Sequence, residues 1–154
     1  MIKSKNTLTG GQAAVKSLKK EKVKHVFGLI GSATMEMFDA LYHEKKIKFI
    51  GVRDERTGTH MADGYARASN QPGVIIAGQN GPGATNLVTG IADAQIDSTP
   101  LVCLTGQVAS HLLGSDAFQE TDIIGISTPI TKWNYQITKA SEIPEILAKA
   151  FYIA

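Results

Sequence analysis

Apolar positions along this 154-residue chain alternate between two spacings. Short continuous apolar runs occur at 25–29, 47–52, 73–77 and 101–105, and the segments between them carry apolar residues at helical intervals. Val74-Ile75-Ile76-Ala77 and Leu101-Val102-Cys103-Leu104 are apolar on successive residues, as strands buried on both faces of a parallel sheet require. Thr9-Gly10-Gly11-Gln12 has the form of a capping box and predicts a helix through about Glu21. Further helices are expected at 34–43, with Met35, Phe38, Ala40 and Leu41 available to the core, at 57–68, where small residues predominate, and at 84–96. A loop at 106–122, long for a compact domain and so a candidate for function, precedes a short helix at 123–127, a strand at 133–137 and a final helix opening near Ser141. Strands alternating with helices predict an α/β fold: three layers, a mostly parallel sheet with helices on both faces. The final helical pattern reaches Phe151-Tyr152-Ile153-Ala154 with no closing glycine or proline, which reads as a domain truncated at its C-terminal edge.

Composition narrows the function classes. At 43% apolar and 19% charged, the chain is that of a folded domain. A net charge of +2 argues against nucleic acid or an anionic membrane as partner. Lys16, Lys19, Lys20, Lys22 and Lys24 cluster on and after the first predicted helix and read as a solvated face. The single cysteine, Cys103, supplies no disulfide framework and favours a reducing, cytoplasmic compartment. His25, His43, His60 and His111 lack zinc spacing. No apolar run approaches the roughly 18 residues of a membrane span, and the polar N-terminus lacks the apolar core of a signal peptide.

Candidate chemistry concentrates at two strand ends. Arg53-Asp54-Glu55-Arg56 places Glu55 where the 47–52 strand gives way to a helix. Ligands of open α/β sheets bind at the carboxyl ends of strands. Partial desolvation there favours a carboxyl's protonated form and lets it share a proton with a ligand nitrogen. Taken alone, Glu55 reads rather as an ordinary solvated helix-start glutamate, stabilised by the helix dipole. The second feature is Gly78-Gln79-Asn80-Gly81-Pro82-Gly83-Ala84-Thr85-Asn86. A phosphate-binding P-loop would need a lysine where Ala84 stands, and a dinucleotide fingerprint would need a third glycine where Asn86 stands. What remains is close backbone approach at Gly81 and Gly83 with Pro82 stiffening the turn, suited to a flat ring or simply to a tight turn.

Glu55, then His60-Met61-Ala62-Asp63-Gly64-Tyr65-Ala66-Arg67, then Gly81-Pro82-Gly83-Ala84-Thr85-Asn86, in that order, resemble the thiamine-diphosphate enzymes. Thr105-Gly106-Gln107, Gly114-Ser115-Asp116-Ala117-Phe118-Gln119-Glu120, Pro129-Ile130-Thr131-Lys132 and Asn134-Tyr135 look specifically like the acetolactate synthase large-subunit family. The resemblance spans nearly the whole chain and implies an N-terminal pyrimidine-binding domain over residues 1–154, with the family's middle and pyrophosphate-binding domains absent. It implies that Glu55 is catalytic, hydrogen-bonding N1′ of the cofactor aminopyrimidine and favouring the imino form that activates the thiazolium carbon. Gly31, Pro82, Asn86 and Gln119 would also meet the cofactor, and Phe118 would line the substrate channel. The implied reaction is decarboxylation of pyruvate and carboligation to a second 2-keto acid, in branched-chain amino-acid biosynthesis. Mg2+ would be held by the absent domain, because no Gly-Asp-Gly followed by an Asn pair occurs here, so the isolated chain is expected to be inactive. FAD in the full-length enzyme, a homodimer or higher oligomer with its active site between subunits, and a regulatory small subunit are further implications. Departures from the pattern are Asp54 and Arg56 in place of flanking His and Gln, Ile30 for Pro, Asn80 for Ser and Ala109 for Pro. Gln79-Asn80-Gly81-Pro82-Gly83 is also similar to sulfoacetaldehyde acetyltransferase, which leaves that enzyme, or another decarboxylase or carboligase using the cofactor, as the alternative. A non-catalytic dimerising module is the third reading.

Overall fold

The computed structural model describes residues 7–154; residues 1–6, the beginning of the polar N-terminal stretch, lie outside it. Helix α1 (Gly10–Lys20) starts on the expected capping box: the Gln12 N–H donates to Thr9 Oγ1 and the Thr9 N–H to Gln12 Oε1, both at 3.2 Å. The chain continues through β1 (His25–Gly28), α2 (Met35–His43), β2 (Lys48–Gly51), α3 (Glu55–Ser69) and β3 (Gly73–Ile76). Then come α4 (Gly81–Thr85), α5 (Val88–Ile96), β4 (Leu101–Leu104), α6 (Ile123–Ser127) and α7 (Ile143–Ile153). The four strands form one parallel sheet in the order β2-β1-β3-β4.

Alternation along the strands sorts the core into two halves. Val26, Val74 and Ile76 face α1 and α2, where they meet Val15, Leu18, Phe38 and Leu41. Phe27, Ile75 and Ala77 face the other way, against Ala62 of α3 and Leu87. β3 is buried along its whole length, as the central position predicts. Small residues on α3 permit its close seat: a Cβ added at Gly58 would lie 2.6 Å from Ile75 Cδ1.

Strand order also locates the crevice. The chain leaves β1 for β2 on one side, then crosses back past β1 to begin β3 on the other. Neighbouring strands whose connections diverge in this way open a crevice at their carboxyl ends.

Four sequence expectations are corrected. Residues 133–137 form no strand; they are irregular and held to α6 and its exit instead of to the sheet. Asn134 Nδ2 donates to Ile124 O at 3.3 Å and to Ser127 Oγ at 3.2 Å, while Trp133 stacks on Tyr135 and lies under the Lys149 ammonium. An apolar-walled cavity of about 670 Å³ separates that run from β4. The helix expected at 84–96 is two helices; the Leu87 N–H bonds back three residues to Ala84 O, and the register is tightened there. Met35 lies outside the core at 59% exposure, because α2 turns Phe38 and Leu41 inward. Helix α3 starts at Glu55 itself, two residues earlier than expected.

Candidate functional site

Asp54 sets the geometry of Glu55. Asp54 has extended backbone (φ −157°, ψ 131°), and its Oδ1 accepts the N–H groups of Arg56 at 2.8 Å and Thr57 at 3.4 Å. It is the N-cap of α3, which gives this departure from the family pattern a structural cause. Arg56 stays exposed, 3.8 Å from the Asp54 carboxylate. Glu55, first residue of the helix, is turned inward and only 4% exposed. A solvated helix-start glutamate is thereby ruled out.

Helix α4 supplies the facing wall. Asn86, just past its last turn, donates from Nδ2 to Glu55 Oε2 at 3.0 Å. A Cβ built on Gly83 would lie 3.1 Å from Glu55 Oε1. Pro82 sits in the first turn of α4 with an exposed ring. Glu55, Gly83 and Asn86 are thus in direct reach of one another, with Pro82 on the same short helix.

Gly31 is brought to the same crevice in another capacity. Its backbone is extended (φ −151°, ψ 165°) and lies against Gly78: a Cβ on Gly31 would overlap the Gly78 carbonyl and approach its Cα to 2.8 Å. A Cβ on Gly78 would overlap Leu29 O and reach Gly31 N at 2.7 Å. The loop after β1 and the loop after β3 therefore meet backbone to backbone. Thr34 Oγ1 donates to Ala77 O (3.2 Å) and Gly78 O (3.3 Å), and Ser32 Oγ donates to Gln79 Oε1 (2.9 Å), which fixes that contact. Neighbouring Ile30 is exposed.

The long loop closes over the glycine turn. The Gly81 N–H donates to Gln119 O at 2.8 Å, and Asn80 Nδ2 to Phe118 O at 3.2 Å. Phe118 is 77% exposed and plays no part in the core. Gln119 adopts left-handed backbone (φ 59°), and its Oε1 and Asn80 Oδ1 are buried without a hydrogen-bond partner among the described residues. Glu120 holds the loop from within, accepting the Gly114 N–H at 2.6 Å and the Ala117 N–H at 3.2 Å. Those backbone donors, Gly114 foremost, keep its carboxyl below the usual range. Sequence reading missed Glu120, Thr34 and the capping role of Asp54; only Asp54, an Asx residue directly before a helix, carried a local signal. The 670 Å³ cavity reaches Ser32, Thr34 and Ala84, but Glu55, Pro82 and Asn86 do not line it. Among the described residues no His, Cys, Asp and Glu cluster could hold a metal, and no helix is long and apolar enough to cross a membrane.

This arrangement is a buried carboxylate at a strand end beside a glycine turn, on a doubly wound sheet. Residues 8–126 match the family described as thiamine pyrophosphate enzyme, N-terminal TPP binding domain, and the chain belongs to that family. Within it, the chain is similar to acetolactate synthase large subunits. It is 50% identical over 147 residues to that of Corynebacterium glutamicum, covering 96% of this chain and 23% of the relative. It is 52% identical over 147 residues to a probable one from Methanococcus aeolicus, covering 96% and 24%. The large subunit of Lactococcus lactis is 46% identical over 153 residues, covering 99% and 26%. The chain thus spans about a quarter of the length of these relatives.

Proposed function

We propose that this chain is the aminopyrimidine-binding domain of a transferase that decarboxylates pyruvate and ligates the remaining two-carbon unit to a second 2-keto acid, in branched-chain amino-acid biosynthesis. One observation carries the reading: Glu55 is 4% exposed, yet among the described residues only its Oε2 is engaged, by Asn86. The fit to the pyrimidine end of thiamine diphosphate rests on the open side of that carboxylate and on the space that Gly83 leaves beside it. When bound, the cofactor supplies the electron sink that a 2-keto acid needs to lose carbon dioxide. Glu55 would share a proton with the ring nitrogen, Pro82 and Gly83 would lie beside the ring, and Gln119 would offer the cofactor an Oε1 that has no hydrogen-bond partner among the described residues. Exposed Phe118 stands at the mouth of the site.

Mg2+ and the diphosphate belong to residues outside this chain, as does any FAD. A homodimer with the site between subunits is supported by the outward face of α3, where Thr57, His60, Met61, Gly64 and Ala68 are exposed at helical spacing. A regulatory small subunit would join the whole protein, acting in the cytoplasm. Glu55→Gln in the full-length protein is expected to lower cofactor-dependent decarboxylation of pyruvate by about 10²–10⁴-fold; undiminished turnover overturns the reading. The run Gln79-Asn80-Gly81-Pro82-Gly83, similar to that of sulfoacetaldehyde acetyltransferase, keeps that activity as the second reading. A panel of pyruvate, 2-ketobutyrate and sulfoacetaldehyde separates the two. The non-catalytic reading rested on Asp54 and Arg56, and the capping role of Asp54 removes one of those two supports.

A further inference from the structure

We propose that the fold assigns different tasks to the two oxygens of Glu55: Oε2 is a fixed anchor held by Asn86, and Oε1, in the space left by Gly83, is the oxygen that meets the ring nitrogen. Asn86 and Gly83 are then positioning residues that act through Glu55. This rests on the thiamine-diphosphate reading above and adds an atom-level assignment to it.

Three observations carry it. First, Oε2 accepts from Asn86 Nδ2 at 3.0 Å, and Oε1 has no hydrogen-bond donor among the described residues. A carboxylate tied at one oxygen cannot swap its oxygens by rotation without breaking that bond. Second, the tether is itself fixed. The Asn86 N–H bonds to Pro82 O at 3.1 Å, and the next residue, Leu87, is 1% exposed in the core, so Asn86 is held where α4 ends. Third, the glycine requirement at 83 is spatial. Gly83 lies in a helix without positive φ, so alanine suits its backbone; an added Cβ would stand 3.1 Å from Oε1 and 3.2 Å from Gln79 Cβ. The methyl group would press on the very oxygen that has no protein partner.

The test is a double-mutant cycle in the full-length protein, with thiamine diphosphate affinity as the readout and cofactor C2 hydrogen–deuterium exchange as the second measure. Asn86→Ala and Gly83→Ala are each expected to weaken affinity by about ten- to a hundredfold and to slow exchange similarly, Gly83→Ala with an unchanged thermal unfolding midpoint. In the Glu55→Gln background, Asn86→Ala should cost less than about threefold more, because the group it positions is already lost. If Asn86→Ala costs the same in both backgrounds, Asn86 contacts the cofactor directly and the proposal fails while the cofactor reading stands. If Glu55→Gln itself leaves affinity and exchange unchanged, both fall. Wild-type affinity and exchange in Gly83→Ala refute the role of Oε1.

Discussion

Gly31→Ala tests whether the crevice is set by backbone contact between two loops. Gly31 has extended backbone that any residue adopts, so the substitution adds bulk without torsional strain. The added Cβ would sit 2.8 Å from Gly78 Cα and overlap the Gly78 carbonyl. Restoring ordinary carbon–carbon contact requires the loops to part by about 1 Å. Neither side yields easily: Thr34 and Ser32 bind the second loop to the first, and Gly78 is equally closed toward Leu29. Overpacking of this kind costs about 1–3 kcal/mol. For a domain of this size that is a fall of about 3–10 °C in melting temperature.

The displaced loop continues into Gly81, Pro82 and Gly83, so the facing wall of Glu55 moves too. A misplacement of about 1 Å can cost about 10²-fold in rate. Differential scanning calorimetry of the 154-residue chain reads the first effect, and thiamine diphosphate saturation of the full-length protein reads the second. Gly51→Ala is the matched control: its nearest contact would be Phe49 Cε1 at 3.6 Å, and the change should be neutral or stabilising by about 0.4–1 kcal/mol. If Gly31→Ala melts with the wild type and saturates at the same cofactor concentration, the contact does not position the site.

Two further expectations follow from titratable groups. Glu120 has its carboxyl lowered by backbone N–H donors, so its hold on the loop is fully present above the unfolded value of about 4.3 and is lost as pH falls through the lower folded value; amide protection in residues 113–121, measured against the intrinsic rate at each pH, should fall on acidification below the unfolded value and, in Glu120→Gln, already be low at pH 7. Equal protection across those conditions would remove Glu120 as the clamp. Burial pushes the Cys103 thiol up to about 12. Iodoacetamide should therefore label the folded chain at pH 8 at least about a hundredfold more slowly than the urea-unfolded chain. With its folded value raised, this thiol contributes stability below about pH 8.5 that is lost as pH climbs toward 12. Rapid native labelling at pH 8 would contradict the raised thiol at this half-buried position on β4.

Much of the sheet was legible because buried parallel strands leave a strong mark. Val74-Ile75-Ile76 has no polar residue to offer solvent, and all three are fully buried. The run at 133–137 shows where that signal fails. Trp133, Tyr135 and Ile137 alternate as a strand would, but pairing depends on a neighbouring edge at hydrogen-bonding distance. Asn134 instead spends its donors on Ile124 O and on the hydroxyls of Ser127, Thr128 and Thr131. Met35 fails for a related reason. An apolar residue in the first turn of a helix has no preceding turn to share its face, and the 3₁₀ turn before α2 points it outward.

The sequence picks out Glu55, Pro82 and Asn86 as candidates but says nothing of how they meet. The order of motifs brought Glu55, Pro82 and Asn86 together, and the fold places Glu55 and Asn86 within hydrogen-bond distance. Order along the chain cannot say which carboxylate oxygen is tied, because that depends on where α4 ends relative to the first turn of α3. Nor could it separate the glycines. Gly31 and Gly83 look alike as small residues near a ring, but Gly31 faces the Gly78 backbone while Gly83 faces the Glu55 side chain. The two substitutions should therefore fail differently. Gly31→Ala lowers stability and cofactor affinity together, because it moves a loop. Gly83→Ala lowers affinity alone, because the helix around it accepts alanine and only the carboxylate and Gln79 must give way. A drop in melting temperature for Gly83→Ala as large as for Gly31→Ala would show that both glycines serve packing, and that the space beside Oε1 is incidental.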